Sequence, residues 1–329
     1  MRSTELGRSG VQVTDLAFGA AALGNLFAPV GDEEAAAVVD AAWSVGIRYF
    51  DTAPHYGLGL SERRLGEALA RRPRGDFVVS TKVGRLLEPL SELRGDDLAQ
   101  GFAVPATHRR IWDFSADGVL RSIEASLERL GLDTVDIVYL HDPDDHLDQA
   151  LSKAYPALEK LRAEGVVGAI GAGMNQARAL TRFVRDTDVD AVLLAGRYTL
   201  LDQTALPDLL PAAAERGVSV VIGGVFNSGL LADPRPGATY DYTSAPAELV
   251  ERALELKAAA ESHGVPLRAA ALQFPFGHPA VGSALVGARS AAEIRDAAAM
   301  LDHPVSRTLW RELLTDGLLT AGTPIPHGD

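Results

Sequence analysis

The stretch that decides the fold reads Gly46-Ile47-Arg48-Tyr49-Phe50-Asp51-Thr52-Ala53-Pro54-His55-Tyr56-Gly57. β-Branched and aromatic residues at positions 47–50 predict a short, buried strand. Asp51 falls at the end of that strand, and Tyr56 follows on a loop that a proline and a glycine shape. A carboxylate and a phenol at the carboxyl end of a strand together predict a catalytic site at that end.

Outward from this stretch, strands and helices alternate along the whole chain. Short apolar strands are predicted at 16–18, 49–51, 77–82, 135–141, 169–171, 191–194, 218–222 and 282–286. Apolar strands without alternation are typical of parallel sheets that are covered on both faces. Eight strand–helix units predict an α/β fold, a (β/α)8 TIM barrel with an N-terminal hairpin at 3–13 and long loops at its C-terminal face. The longest loop is expected at 85–114. No linker divides the chain, so we expect residues 1–329 to form one domain.

Composition restricts the classes of function. The chain has 329 residues, of which 47% are apolar, and this is enough for a large core. The net charge of −13 argues against nucleic acid or an anionic membrane as the main partner. The chain has no cysteine, which excludes disulfides, thiolate metal sites and a cysteine nucleophile. With no signal peptide and no apolar run long enough to span a membrane, we expect a cytoplasmic protein.

Four ionisable side chains fall at or just beyond the ends of consecutive strands, namely Asp51, Tyr56, Lys82 and His141. Neighbouring strands lie about 4.8 Å apart, so these groups are expected to converge. An ammonium beside a phenol lowers the phenol's pKa, and a carboxylate keeps a buried lysine charged. This set suits proton transfer at an alcohol or carbonyl oxygen, and hydride transfer would require a redox cofactor.

The order and spacing of these motifs resemble the aldo-keto reductase family over nearly the whole chain. The resemblance rests on Gly46-x-x-x-Phe50-Asp51-Thr52-Ala53-x-x-Tyr56-Gly57, on Ser80-Thr81-Lys82 and on Asp136-x-x-x-Leu140-His141. It implies that Tyr56 is the general acid/base, that Lys82 and Asp51 tune it, and that His141 orients the substrate oxygen. It also implies a nicotinamide cofactor that lies extended across the barrel mouth.

By the same resemblance, the cofactor contacts fall on Gly19, Asp51, Asn175, Phe226, Ser228, Leu230, Gly287, Arg289, Ser290 and Glu293. The family's nicotinamide-contacting glutamine and stacking aromatic are replaced by Ala195 and Gly223. Glu293 stands where many NADP-dependent relatives have an arginine for the 2′-phosphate, which favours NAD, with NADP possible. A register shifted along this helix would put Arg295 in that place instead.

The resemblance to a subgroup is narrower. His141-Asp142-Pro143-Asp144, 173–176, 195–198 and 224–229 are similar to the L-fucose dehydrogenase and D-threo-aldose 1-dehydrogenase group. This implies NAD-dependent oxidation of an aldose at C1 to a lactone. Substrate contacts are expected from Tyr56, His141, Trp112 and His108, with lining loops at 26–27, 102–112 and 226–242.

Other interpretations remain open. They are an NADPH-dependent aldehyde or ketone reductase, a pyridoxal 4-dehydrogenase, and a non-catalytic nicotinamide-binding regulatory subunit. The segment 141–146 carries imidazoles and carboxylates, but its proline and loop setting favour solvated acidic residues, so we expect no metal site. Gly171-x-Gly173 follows a strand but lacks the third glycine of a dinucleotide fingerprint. We expect a small sugar or aldehyde as partner and a monomer or small homo-oligomer.

Overall fold

The computed structural model describes residues 1–93, 95–241 and 243–326. Eight parallel strands close into a barrel, and each overlaps one of the eight predicted strands. In spatial order they are β3 (Leu16–Gly19), β4 (Tyr49–Asp51), β5 (Val78–Val83), β10 (Ile137–His141), β11 (Ala169–Met174), β12 (Ala191–Ala195), β13 (Ser219–Gly223) and β16 (Val281–Gly287). The (β/α)8 prediction is therefore confirmed.

An antiparallel hairpin of β1 (Ser3–Glu5) and β2 (Gln12–Thr14) precedes the barrel, as predicted. Leu6 and Val13 from this hairpin are buried with residues of the barrel interior, including Tyr49 and Tyr139. The hairpin therefore closes the N-terminal end of the barrel. The C-terminal ends of the strands are left as the accessible mouth, which is where barrel enzymes carry their sites.

Helices surround the barrel, and their apolar faces join one core cluster. The side chain of Ser115 accepts a hydrogen bond from Gly118 N at the start of α3, and Gly131 ends that helix in a left-handed conformation. Pro156 lies in the first turn of α5 (Tyr155–Ala163), directly after a π-helical turn at Ala150–Ala154 from which the helical backbone continues. The helices are α1 (Asp32–Ser44), α2 (Leu60–Leu69), α3 (Ala116–Leu130), α4 (Leu147–Gln149), α5 (Tyr155–Ala163), α6 (Ala177–Asp186), α7 (Leu209–Arg216), α8 (Ala247–Ser262), α9 (Leu267–Gln273), α10 (Ala291–Leu301) and α11 (Arg307–Thr315).

Two parts of the structure differ from the sequence prediction. The stretch at 85–114 is a pair of nested hairpins rather than an irregular loop, with β6 (Arg85–Pro89) paired to β9 (His108–Trp112) and β7 (Asp96–Asp97) to β8 (Phe102–Pro105). Charged residues interrupt β6 and β9, and β7 and β8 are only two and four residues long, so they lack the apolar run by which a barrel strand is recognised. The sequence analysis also missed α11, and it did not foresee β14 (Thr239–Tyr240) and β15 (Thr243–Ser244).

Candidate active site

The ammonium of Lys82 lies at the centre of the mouth and has three hydrogen-bond partners. Its Nζ donates to Asp51 Oδ2 at 2.6 Å, to the carbonyl oxygen of Thr52 at 3.0 Å and to the Tyr56 hydroxyl oxygen at 3.1 Å. The side chains of Lys82 and Asp51 are each 2% exposed. All three protons of the ammonium are used, so the phenol accepts from Lys82 and its own proton is free for a ligand.

A chain of buried hydroxyls supports this pair from below. Ser80 donates to Asp51 Oδ1 at 2.7 Å and lies 3.3 Å from the Tyr49 hydroxyl, which in turn lies 3.1 Å from the hydroxyl of Tyr139. Both oxygens of the Asp51 carboxylate are therefore occupied. The carboxylate cannot rotate without losing a bond, so it fixes the position of Lys82.

The loop that carries Tyr56 is held against the turn after β3 by close backbone contact. Gly57 has a φ of 61°, and a Cβ added there would lie 2.3 Å from the carbonyl oxygen of Gly24. A side chain would therefore push the loop away. Ser61 donates to the Ala20 carbonyl oxygen and lies 2.8 Å from the Thr52 hydroxyl, which ties the two ends of the loop together.

His141 ends β10 on the other side of the mouth. Its ring centroid lies 5.8 Å from that of Tyr56, and the residue is 6% exposed. Burial, together with the cations Arg85 and Lys82, holds its pKa well below the usual value. The ring is therefore neutral at physiological pH. Its buried Nδ1 has no partner within the described ranges, which makes Nε2 the nitrogen that a ligand can reach.

A second imidazole, which the sequence analysis did not single out, completes the site. His55 contacts Tyr56, His141 and Phe102, with ring centroids 6.1, 5.7 and 5.2 Å away. Arg110 Nε donates to His55 Nδ1 at 2.5 Å. The only sequence signal was the position of His55 beside Tyr56, because Arg110 comes from a distant hairpin strand.

The charges of the site determine which group moves a proton. Burial by itself lowers the pKa of Lys82, but Asp51 and Tyr56 together more than offset this, so the pKa lies above its usual value. Burial raises the pKa of Tyr56 to about 12, although Lys82 opposes the rise. This outcome differs from the lowered phenol pKa expected from the sequence, because burial outweighs the ammonium. At neutral pH the site thus holds a charged lysine and a protonated phenol.

A continuous groove crosses the mouth beside these groups. A first cavity of about 530 Å³ is lined by Tyr56, Lys82, His55 and His141. A second, of about 730 Å³, extends to the N-terminal end of α10. Ala21, Leu26 and Phe27 line both cavities, so the two are neighbours. Their combined shape suits a long ligand whose reactive end reaches the phenol.

Most of the predicted cofactor residues line this groove. Asn175 faces the first cavity, and Phe226, Ser228, Gly287, Arg289 and Glu293 face the second. Ala195 lines the first cavity and is the register partner of Gly223, so neither of these two strand ends carries a side chain larger than a methyl group. An amide near the phenol, small residues along the floor and polar groups at the far end fit an extended nicotinamide dinucleotide.

Four predicted cofactor residues do not line either cavity. Leu230 is fully buried in the core, so its side chain cannot reach a ligand. Asp51 lies beneath Lys82, and Gly19 packs against Leu285. The hydroxyl of Ser290 accepts from Glu293 N and so caps α10. These four residues pack beneath or beside the groove and do not line it.

The structure does not bring two predicted substrate residues to the cavity. His108 hydrogen bonds to Thr107, and Trp112 stacks on Phe114 at the outer side of the β6–β9 hairpin. In this region, residues 98–102 line the first cavity instead. The difference arises because the segment between β7 and β8 lines the cavity, whereas the outer pair contributes to the mouth through Arg110, which contacts His55. Tyr242, the end of a predicted lining loop, lies outside the described residues.

Within residues 1–93, 95–241 and 243–326, no group of three or more histidine, aspartate or glutamate side chains is placed to hold a metal ion. No helix in those ranges is both long and apolar enough to cross a membrane.

Comparisons with known proteins agree with this geometry. The sequence profile of the Aldo/keto reductase family matches residues 15–313. The chain is 51% identical to D-threo-aldose 1-dehydrogenase from Pseudomonas sp, covering 95% of this chain and 97% of that protein. It is 41% identical to pyridoxal 4-dehydrogenase from Microbacterium luteolum, covering 96% and 97%. Among solved structures, an aldo-keto reductase from Bacillus halodurans in its holo form superposes with a TM-score of 0.77 at 26% identity, covering 98% of each chain.

Proposed function

The chain belongs to the aldo/keto reductase family and is an oxidoreductase, and on that premise we propose that it is an NAD-dependent dehydrogenase of aldoses. It oxidises a cyclic sugar of the L-fucose or D-threo-aldose type at C1 to a lactone. The observation that carries the chemistry is the Asp51–Lys82–Tyr56 chain of hydrogen bonds at the barrel mouth. The identity of 51% to an aldose dehydrogenase over nearly the whole chain supports the substrate class.

The residues divide the reaction between them. The oxidised nicotinamide, when bound, supplies the hydride acceptor for C1. Tyr56 takes the proton of the C1 hydroxyl as a phenolate, and Lys82 stabilises that phenolate through the hydrogen bond to its oxygen. His141, which is neutral, donates from Nε2 to the same substrate oxygen. Asp51 keeps Lys82 charged throughout, because its carboxylate raises the lysine's pKa.

The preference for NAD over NADP rests on the far end of the groove. Glu293 lines the second cavity, and a 2′-phosphate near it would meet a like charge. The two arginines there are engaged, since Arg268 is held by both oxygens of Asp296 and Arg289 donates to the carbonyl oxygen of Leu26. Arg295 is exposed and does not line the groove, so a shifted register would supply no arginine.

The direct test is the appearance of reduced nicotinamide with NAD and, separately, with NADP. The substrates are L-fucose, D-arabinose, L-galactose, pyridoxal and simple aldehydes, the last assayed in reduction. We expect the sugars to give the highest kcat/KM and NAD to exceed NADP. A preference for NADP of tenfold or more would contradict the cofactor assignment. The identity of 41% to a pyridoxal 4-dehydrogenase makes pyridoxal the second candidate, and a higher kcat/KM for it would replace the sugar.

Replacing the phenol tests the assignment of the proton-transfer group. Tyr56→Phe removes the hydroxyl that Lys82 contacts, so kcat should fall by about 10²–10⁴-fold, the usual contribution of a general acid or base. Binding of the cofactor, followed by titration calorimetry, should change little. Tyr155→Phe is the matched control, since its hydroxyl bonds to Glu159 on α5. Near-normal turnover by Tyr56→Phe would refute the assignment.

A further inference from the structure

We propose that His55 is a second substrate-binding donor, and that it binds an oxygen on the atom next to the reacting carbon. It would thereby select substrates that carry such an oxygen, for example the 2-hydroxyl of an aldose or the hydroxyl of a 2-hydroxyaldehyde. The inference rests on the proposed function only in taking the reacting group to be a carbonyl or the corresponding alcohol.

The tautomer of His55 is set by its neighbour. Arg110 Nε is always a donor, so Nδ1 of His55 must accept with its lone pair. In the neutral ring the proton then resides on Nε2. Burial and the cations Arg85 and Arg110 lower the pKa of His55 to about 2, which agrees with a ring that stays neutral.

Arg110 itself is firmly held. It forms a two-point ion pair with Asp97, with distances of 2.8 and 2.6 Å, and their side chains are 12% and 8% exposed. Its Nη2 also donates to the carbonyl oxygen of His55 at 3.0 Å. Asp97 and Arg110 lie on the nested hairpins, so these hairpins act as the support that orients the imidazole. Both are positioning residues that act through His55.

His55 lines the first cavity beside Tyr56 and His141. Within the part of the chain that the structure describes, no residue hydrogen bonds to Nε2, and it is not among the buried atoms that lack a partner. A donor that is fixed in direction, accessible and unused is available to a ligand.

The reacting oxygen cannot be the acceptor for this donor. A carbonyl oxygen has two lone pairs, and Tyr56 and His141 already supply two donors to it. The ring centroids of His55 and His141 are 5.7 Å apart, and each N–H···O bond spans about 2.9 Å. The two imidazoles can therefore hold two different oxygens on neighbouring atoms of one small molecule.

The test compares matched substrates that differ by one oxygen. The pairs are L-fucose with 2-deoxy-L-fucose in oxidation, and glyceraldehyde with propanal in reduction. His55→Asn is the chosen variant, because its amide oxygen can still accept from Arg110 while the Nε2 donor is lost. We expect kcat/KM for the oxygenated member of each pair to fall about tenfold, mainly through KM, and the deoxygenated member to change much less. His55→Phe should remove the discrimination as well.

The outcomes separate this inference from the proposed function. If kcat/KM falls equally for both members of a pair, the proposed role of His55 is wrong. The same holds if His55→Asn still prefers the oxygenated member as strongly as the wild type does. If no sugar is oxidised, the aldose assignment fails, whereas the aldehyde pair still decides the role of His55. Imidazole nitrogen NMR gives an independent measure. The His55 signal should report one Nε2–H tautomer in the wild type and lose that restriction in Arg110→Met, and an Nδ1–H tautomer in the wild type contradicts the inference.

Discussion

Tyr56 receives opposing influences from its surroundings. Burial favours the neutral phenol, while the Lys82 ammonium, which donates to its oxygen, favours the phenolate. The net effect is a raised pKa, so the group at rest is an acid. Loss of its proton to solvent is therefore favoured by alkaline conditions and by any further positive charge beside the ring.

The rate of oxidation should accordingly rise with pH. Tyr56 acts as a base in that direction, and the fraction of phenolate grows as the pH approaches its raised pKa of about 12. Lys82 remains charged because its pKa is raised, and His55 and His141 remain neutral because theirs are lowered. Neither of these two imidazoles then titrates near neutrality, so log kcat/KM for the sugar should climb between roughly pH 6 and pH 9 without an inflection near 6.5. Reduction, which uses the protonated phenol, should be nearly independent of pH over this range, because the pKa of Tyr56 lies above it.

The measurement is initial rates in both directions over this range in buffers of constant ionic strength. An inflection near neutrality in the wild type would mean that an imidazole changes its charge during turnover. Tyr155→Phe again serves as the control, because its profile should superpose on that of the wild type.

At the scale of elements, the N-terminal end of α10 combines a structural and a binding role. Ser290 accepts from Glu293 N, and Glu293 Oε2 accepts from Arg289 N at 2.8 Å, which resembles a capping box. The Arg289 guanidinium reaches Leu26 on the opposite side of the second cavity. Glu293 thus stabilises the helix and presents a negative charge to the groove.

Neutralising Glu293 should relax the discrimination against NADP. Glu293→Gln keeps a side-chain oxygen for the cap but removes the charge, so the ratio of kcat/KM for NADP to that for NAD should rise by about tenfold, as expected for about 1.4 kcal/mol of repulsion. Thermal stability should change little. Glu34→Gln in the first turn of α1 removes a similar helix-end charge far from the groove and should leave the ratio unchanged. An unchanged ratio in Glu293→Gln would show that this carboxylate does not select the cofactor.

The elements also show what a sequence can and cannot reveal. Each barrel strand is buried on both faces, so it appears in the sequence as a run of apolar residues. The positions of Asp51, Lys82 and His141 can be predicted because they lie where those runs end. No sequence pattern predicts the pairing of β6 with β9. The hydrogen bond from Arg110 to His55 cannot be predicted from a sequence pattern either, because it joins a hairpin strand to a distant loop. Leu230 matched a family position by sequence, yet only the packing reveals that its side chain points into the core.

At the scale of the whole molecule, stability and chemistry lie at different ends of the barrel. The β1–β2 hairpin and the aromatic interior close the N-terminal end, whereas the mouth holds a buried ion pair that is costly to desolvate. The ion pair is tolerated because all of its polar atoms have partners, including Ser80 and Thr52. Catalytic geometry therefore depends on a rigid barrel beneath it.

The last helix, α11, contributes to that rigidity without touching the groove. Trp310 is fully buried and packs near Phe274, with ring centroids 6.4 Å apart. Trp310→Ala should lower the free energy of unfolding by about 3–5 kcal/mol, as large-to-small changes in a core do, while kcat at low temperature stays near that of the wild type. Trp310→Phe should cost less, because the indole N–H has no partner within the described ranges. Trp112→Ala, at a site that is 44% exposed, controls for loss of an indole. Denaturant unfolding measures all three, and a Trp310→Ala protein as stable as Trp112→Ala would show that the barrel does not need α11.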